Sequence, residues 1–268
     1  MKSYEADARL EFVCEKIAMK KALRDAASTT RSAVEMRLFS EYGAIFVTTA
    51  TPPPVIVFAD SSEVEAFQST LSIRHARVGD YEISLQAEAM EALVRAATAI
   101  NDREGRIGAR AADSGGRSYD DTVGLWLRNV TRGLERWTSE GRISPERAQQ
   151  VRELSPVDQI APVLEMEDQE QIFFGTFFDR SILYSVAAPG ASQHLSLLAF
   201  DVEEFQNPEV ERALNRQGWF RTVPNDLPHF TYLGHGEESL PEMGLIRIER
   251  EYNQCRYGFW VPDLDSLG

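Results

Sequence analysis

Cysteine is almost missing from this chain: Cys14 and Cys255 are the two present in 268 residues. They allow one long-range bridge or two separate thiols, and they exclude a disulfide-stapled scaffold and a cysteine-built zinc knot. Basic residues are outnumbered, 28 against 42 acidic, for a net charge of −14. A chain this acidic has no basic stripe with which to neutralise phosphates, so nucleic acid and anionic membrane surfaces are excluded as general partners. Long apolar runs are also lacking. The strongest, Ala44 to Phe58, is broken by Pro52, Pro53 and Pro54, far short of what spans ~30 Å of hydrocarbon. The start, Met1-Lys2-Ser3-Tyr4-Glu5-Ala6-Asp7, has no apolar h-region, so no signal peptide is expected within this sequence and the chain reads as soluble. Glycine-rich phosphate loops, Gly-x-Ser-x-Gly and His-Glu-x-x-His are absent, which argues against P-loop enzymes, α/β-hydrolases and the commonest zinc proteases.

What is present is an ordinary globular composition, 43% hydrophobic and 26% charged, enough to bury a core without staples. Residues 7–41 place apolar side chains at helical intervals and predict one or two amphipathic helices. Ala44–Thr48 and Val55–Phe58, rich in β-branched and aromatic residues, read as two strands. Ser61-Ser62-Glu63-Val64-Glu65 reads as a capped helix start. Leu85–Arg103 and Asp120–Trp137 carry the period of core helices, Ser144-Pro145-Glu146 opens another, and a further helix covers Pro208–Gln217. Strands are expected at Ile107–Ala112, Ile172–Phe178, Leu197–Val202 and His229–Leu233. The order, helix-rich first and strand-rich later, predicts an α+β fold without βαβ alternation. Residues 1–82 read as a helical and two-stranded extension, and residues 83–262 as the main domain.

Histidine is scarce enough that each of His75, His194, His229 and His235 can be weighed. His194 and Asp201 lie seven positions apart after the Pro189-Gly190 turn. On one regular strand that odd spacing turns them to opposite faces. On a helix they lie about 10 Å apart along the axis, so a bend is required if they are to share an ion. Asp226-Leu227-Pro228-His229 sets a second histidine three positions after a carboxylate, with proline forbidding an ordinary helix between them. His75 reads as surface and His235 as part of an exposed Gly-His-Gly loop. Ser114 and Ser118 read as turn or helix caps, Asp113 as able to orient Arg117, and Tyr119 and Tyr232 as either cleft-lining or packing aromatics.

Taken together, three segments carry a resemblance. Pro189-Gly190 with Ser192-Gln193-His194 and Ala199-Phe200-Asp201 resembles the Pro-Gly-x-Ser-x-His-x-x-Gly-x-Ala-x-Asp signature of the VanY-type zinc D-alanyl-D-alanine carboxypeptidases, in the wider lysostaphin-like and hedgehog-like superfamily. Asp226-Leu227-Pro228-His229 is similar to that family's Glu-x-Trp-His segment, and Ser114-Gly115-Gly116-Arg117-Ser118 to its Ser-Gly-Tyr-Arg-Ser segment. The three occur in the family's order across roughly residues 85–235. The resemblance implies a hedgehog/DD-peptidase-like fold, a small antiparallel sheet carrying the metal with helices packed on one side. It also implies Zn2+ held by His194, Asp201 and His229 with a fourth position for water, Asp226 in the place of the catalytic glutamate, and Arg117 facing an anionic substrate group or the developing oxyanion. Two imidazoles and one carboxylate suit such an ion, leaving it net positive and able to acidify water and polarise a carbonyl. The implied substrate is a peptidoglycan stem peptide ending in D-Ala-D-Ala, and the implied workplace is extracytoplasmic, periplasm or cell wall. Four positions depart from the pattern: Asp226 for glutamate, Pro228 for tryptophan, Leu197 for glycine and Gly116 for tyrosine. A non-catalytic, zinc-containing module that binds a peptide or wall fragment is the competing expectation.

Overall fold

A computed structural model describes residues 21, 23–28, 32–101 and 105–267. In chain order its elements are α1 (Ala33–Tyr42), a 3-10 turn (Gly43–Val47), α2 (Ser61–Gln68), β1 (Ile73–Val78), β2 (Tyr81–Gln86), α3 (Ala87–Asn101), α4 (Tyr119–Ser139), α5 (Pro145–Glu153) and α6 (Ile160–Glu170). Then come a 3-10 turn (Gln193–Ser196), β3 (Ala199–Asp201), α7 (Pro208–Asn215), β4 (Trp219–Phe220), β5 (His229–Tyr232), β6 (Leu245–Tyr252) and β7 (Cys255–Pro262). Helices and small antiparallel sheets are mixed, an α+β architecture. The sheets are β1-β2, β3-β5-β4 and β6-β7.

The helices form where capping and periodicity agree. Ser118 caps α4, accepting from the Asp121 amide while Asp121 reaches back to the Ser118 amide, so two otherwise unpaired N–H groups are satisfied. Along α4, Trp126, Val130, Leu134 and Trp137 fall on one buried face, as a 3.6-residue period requires. Ser144 caps α5 with Pro145 in its first turn. The cap of α2 is Asp60, whose side chain accepts from the Glu63 amide, one residue before the expected serines.

Several expected strands are not strands. Ala44–Thr48 is mostly a 3-10 turn, Gly43–Val47, wholly buried: it continues straight from α1 into the core, where burial favours apolar side chains whatever the backbone. Val55–Phe58 runs irregularly behind three prolines that lack ladder donors, tied by the Phe58 amide to the Gly190 carbonyl at 3.0 Å. Ile107–Ala112 contributes a single bridge, Ala109 to Val202. Ile172–Phe178 wraps around the buried carboxylate of Glu167 instead of pairing, and Phe178 has φ 60. Within 7–41, residues 23–28 and Ala33–Tyr42 are helical, and residues 7–20 lie outside the described residues, as does Cys14. Cys255 is exposed at the start of β7.

Two packed cores flank the site. In one, Leu93 and Ala96 of α3 meet Phe200, Trp219 and Phe230 of the three-stranded sheet and Val210 and Leu214 of α7. In the other, Trp126 and Leu134 of α4 meet Val163 and Leu164 of α6 with Phe174 and Leu183. The second is organised by Glu167, which is 1% exposed. Its carboxylate accepts from the Phe174 amide (3.0 Å), the Ile182 amide (2.7 Å) and the Ser181 hydroxyl (2.6 Å), and Arg37 stands 3.8 Å away. Burial pushes its pKa up against the pull of these donors. Replacing Glu167 with alanine strands two buried N–H groups, so urea unfolding should show a loss of about 2–4 kcal/mol. Glu167→Gln, which keeps an acceptor for both amides, should lose distinctly less.

Candidate metal centre

The site is assembled from three stretches of chain. The first begins at Gly190, with φ +75, where an added Cβ would sit 2.0 Å from the Phe58 carbonyl oxygen; only glycine fits there. The 3-10 turn that follows carries Gln193 and His194, and Leu197 ends it in the left-handed region with φ 55. That residue is the bend the His194–Asp201 spacing demands. After it, β3 delivers Asp201 directly opposite His229 of β5. Cross-strand partners share a face of the sheet, so the carboxylate and the second imidazole meet by register alone. The third stretch is anchored to the first, since the Asp201 amide donates to the Ser114 carbonyl at 3.0 Å, two residues before Gly116 and three before Arg117.

Asp201 Oδ1 lies 3.4 Å from His194 Nε2 and 3.3 Å from His229 Nδ1, and the two rings stand edge to face at 4.9 Å. Gln193 decides what the second contact means. Its amide nitrogen donates to the Tyr42 carbonyl at 2.9 Å, which turns Oε1 toward His229 Nε2, 2.9 Å away. The same oxygen receives the Thr231 hydroxyl and, at 3.3 Å, that of Thr222. An amide oxygen only accepts, so the network assigns the proton of His229 to Nε2. In the neutral imidazole Nδ1 then points a lone pair at a carboxylate oxygen. Oδ1 of Asp201 and Nδ1 of His194 are buried and make no hydrogen bond among the described residues. Electron-rich atoms held this close call for a cation between them. Four ligands at 2.0–2.1 Å in a tetrahedron have edges of about 3.3–3.4 Å, the separations found here. His194, Asp201 and His229 thus form a group able to hold a metal ion.

The charge states agree with that role. Burial lowers the pKa of His194, favouring the neutral imidazole that a metal requires. Burial opposes the charge of Asp201, but the neighbouring imidazoles outweigh it and hold the carboxyl well below the usual aspartate range. Arg117 faces the other oxygen, with Nη2 3.7 Å from Asp201 Oδ2 and Nε 3.0 Å from Asp113 Oδ2. Asp113 does orient Arg117.

Asp226 and Arg117 line the same cleft as His194, Asp201 and His229, a volume of about 340 Å3 whose walls include Tyr42, Tyr184 and Asn225. The Asp226 side chain makes no hydrogen bond or ion pair among the described residues. Solvent reaches it, yet the surrounding protein and the Asp201 charge push its carboxyl above the ordinary range, against the pull of His229, His194 and Arg117. Its loop is pinned from beneath by Arg221, which is 2% exposed. That guanidinium donates to the carbonyls of Leu227 (2.8 Å) and Phe205 (2.6 Å), pairs with Glu211 at 2.6 Å and lies over the ring of Phe230. Burial also pushes the Tyr42 phenol far up, so it stays a neutral donor in the wall.

Other residues weighed from sequence lie elsewhere. His75 is exposed on β1 beside Ser84, and His235 is half-buried and bonds the Val47 carbonyl. Tyr119 bonds the Ala59 carbonyl, and Tyr232 packs on Trp219. Ser118 is a helix cap, whereas the Ser114 hydroxyl receives the Ala111 amide. Gln193 and Tyr42 were not anticipated. Thr231 could have been, since it is two residues after His229 on one strand and so shares its face.

No family profile and no curated protein sequence matches the chain. A similar solved structure is that of the LdcB LD-carboxypeptidase, described as revealing the molecular basis of peptidoglycan recognition. The two are 17% identical with a TM-score of 0.34, over 60% of this chain and 64% of that one. This chain therefore spans under two thirds of that protein.

Two outcomes follow from the geometry. Leu197 pays for its left-handed backbone but fills buried space, so Leu197→Ala should cost about 2–4 kcal/mol in urea unfolding. Leu197→Gly should cost about 1 kcal/mol less than the alanine variant although it removes more atoms, because the strained φ suits glycine. Gln193→Ala frees the His229 ring and should weaken affinity for a divalent ion by about 10- to 100-fold in competition with a chelating dye.

Proposed function

We propose that the protein is a zinc-dependent peptidase acting on peptidoglycan stem peptides, of the D-alanyl-D-alanine carboxypeptidase type. The observation that carries this reading is the convergence of two imidazole nitrogens and one carboxylate oxygen at tetrahedral-edge distances, 3.4 and 3.3 Å, inside an open cleft. His194, Asp201 and His229 are the proposed ligands. All-nitrogen-and-oxygen donation by two histidines and one carboxylate suits zinc, and three protein ligands rather than four are typical of a catalytic site. When bound, the ion supplies Lewis acidity, polarising an amide carbonyl and making water a better nucleophile near neutral pH.

The chain's own residues do the rest. Asp226, unpartnered on the cleft wall, takes the proton from the attacking water and returns it to the leaving amine nitrogen, which cannot depart as a free amide anion. Arg117, steadied by Asp113 and 3.7 Å from Asp201 Oδ2, offers its remaining N–H groups to substrate oxygen. Gln193 holds the His229 tautomer, and Tyr42 and Tyr184 wall the peptide in.

In this reading the fold is of the hedgehog/DD-peptidase-like kind, residues 83–262 form the peptidase unit, and residues 1–82 are an extension that adds Tyr42 to the cleft. Stem peptides lie outside the cytoplasm, so an extracytoplasmic workplace belongs to the same proposal. No described helix is long and apolar enough to cross a membrane.

The shorter side chain of aspartate at 226 favours one competing reading, a zinc-containing module that binds peptide without cleaving it. Turnover of a D-Ala-D-Ala-terminated peptide by the zinc-loaded protein separates the two. Peptidase action predicts that Asp226→Ala lowers kcat by about 10²- to 10⁴-fold, with Asp226→Glu retaining far more activity. Release of D-alanine no faster than the protein-free background by both the parent and Asp226→Ala, with the peptide still bound, would leave the binding module standing.

A further inference from the structure

The loop that presents Asp226 is a turn with an unspent donor in it. The Asp226 amide donates to the Val223 carbonyl at 3.2 Å, which puts Pro224 and Asn225 at the two central positions, and Asn225 has φ 71. Proline followed by a left-handed residue is the pattern of a type II turn, whose second central position admits glycine or asparagine. Glycine would serve the backbone alone. Asparagine adds a side-chain amide, and Asn225 lines the cleft next to Asp226.

We propose that Asn225 binds substrate, its side-chain N–H groups donating to an oxygen of the bound peptide, and that Tyr252 is the positioning residue that turns the amide to do so. The proposal rests on the reading of the cleft as a peptide site. Neither residue belongs to the three segments that resemble the carboxypeptidase family.

Tyr252 arrives from the far end of the β6-β7 hairpin. Asn253 and Gln254 have φ 48 and 64, so the hairpin closes through a two-residue turn of the primed kind that suits the twist of its strands. Tyr252 is left as the last residue of β6, opposite Cys255, and its hydroxyl donates to Asn225 Oδ1. Its ring packs on Tyr257 at 6.1 Å, and the Arg221 guanidinium lies over the Tyr257 ring at 5.2 Å. Farther along β7, the Trp260 amide donates to the Arg221 carbonyl at 2.8 Å. The hairpin thus grips both ends of residues 221–225 and holds its tip and the turn in one relation.

Fixing the oxygen fixes the rest of the amide. An asparagine side chain has one acceptor oxygen and one nitrogen with two N–H donors. With Oδ1 taken by the Tyr252 hydroxyl, the N–H groups are left over, and they meet no acceptor among the described residues although Asn225 is half-buried. Burial pushes the Tyr252 phenol up to about 12, so it keeps its proton at neutral pH and remains the donor of the pair. A donor held in place before the ligand arrives loses little further freedom on binding. Its partner is a peptide oxygen, either a backbone carbonyl or the terminal carboxylate.

Calorimetric binding of a D-Ala-D-Ala-terminated peptide to full-length, zinc-loaded Asp226→Ala protein tests this without turnover. In that protein Asn225→Gly keeps the left-handed turn and removes the amide, whereas Asn225→Asp keeps an oxygen for Tyr252 and removes the donors. Asn225→Gly should weaken binding about 3- to 10-fold, and Asn225→Asp should weaken it more, because it turns an acceptor toward the peptide oxygen. Tyr252→Phe should lose about 2- to 3-fold alone and nothing further on top of Asn225→Gly. Zinc content should be the same in all of them. The same peptide with a C-terminal amide identifies the oxygen: losses that persist point to a backbone carbonyl, and losses that vanish point to the terminal carboxylate. An Asn225→Asp protein that binds as tightly as its parent overturns the proposal, since a purely structural tether to Tyr252 survives in it. Absence of peptide binding in every protein overturns this proposal and the peptidase reading together. The expected losses, found alongside an Asp226-intact protein that never releases D-alanine, keep the role of Asn225 and refute the peptidase reading.

Discussion

The site depends on the orientation of one buried amide. Gln193 gives its nitrogen to a backbone carbonyl on α1 and its oxygen to an imidazole on β5, and no other orientation satisfies both. The geometry of the cluster follows from this choice. The His229 proton is drawn to the outside of the ring, the inner lone pair is left facing Asp201, and two electron-rich atoms are held together at 3.3 Å. The fold bears that repulsion because the threonine hydroxyls, the tyrosine carbonyl and the sheet register all hold the glutamine in place. A bound cation would relieve it, and His194, Asp201 and His229 form a group able to hold one.

Buried charges perform a similar service in the supports. Glu167 gathers the amides of a chain segment with no sheet partner, and Arg221 gathers two carbonyls beneath the Asp226 loop. In both cases irregular backbone, which would otherwise bury unpaired polar groups, is organised by one buried polar side chain. The polypeptide around the cleft can therefore lack regular secondary structure and still be held in a defined shape.

Much of this was legible in the sequence, and the parts that were not have physical reasons. Helices α3, α4, α5 and α7 announce themselves because periodicity, caps and proline position agree. The strands at 44–48 and 172–178 were misread because β-branched and aromatic residues report burial as much as pleating. The β1-β2 and β6-β7 hairpins escaped notice since the first strand of each is largely polar and exposed, although Gly79-Asp80 is a turn signal. For the site, spacing alone set His194 and Asp201 apart. The left-handed conformation that joins them sits on a leucine, a residue whose chemistry gives no hint of it. The resemblance in three segments singled out His194, Asp201 and His229, while the glutamine that orders His229 needs a backbone carbonyl far away in sequence that no local motif can show.

That distance has a consequence for how the protein comes into being. Gln193 reaches back 151 residues to Tyr42 and forward 36 to His229, so its environment is complete only when both ends of the chain have docked. Such long loops close late and slowly. The arrangement able to hold a metal ion therefore exists only in the docked chain: until Tyr42, Gln193 and His229 have met, the two histidines and Asp201 are separate groups without a shared geometry.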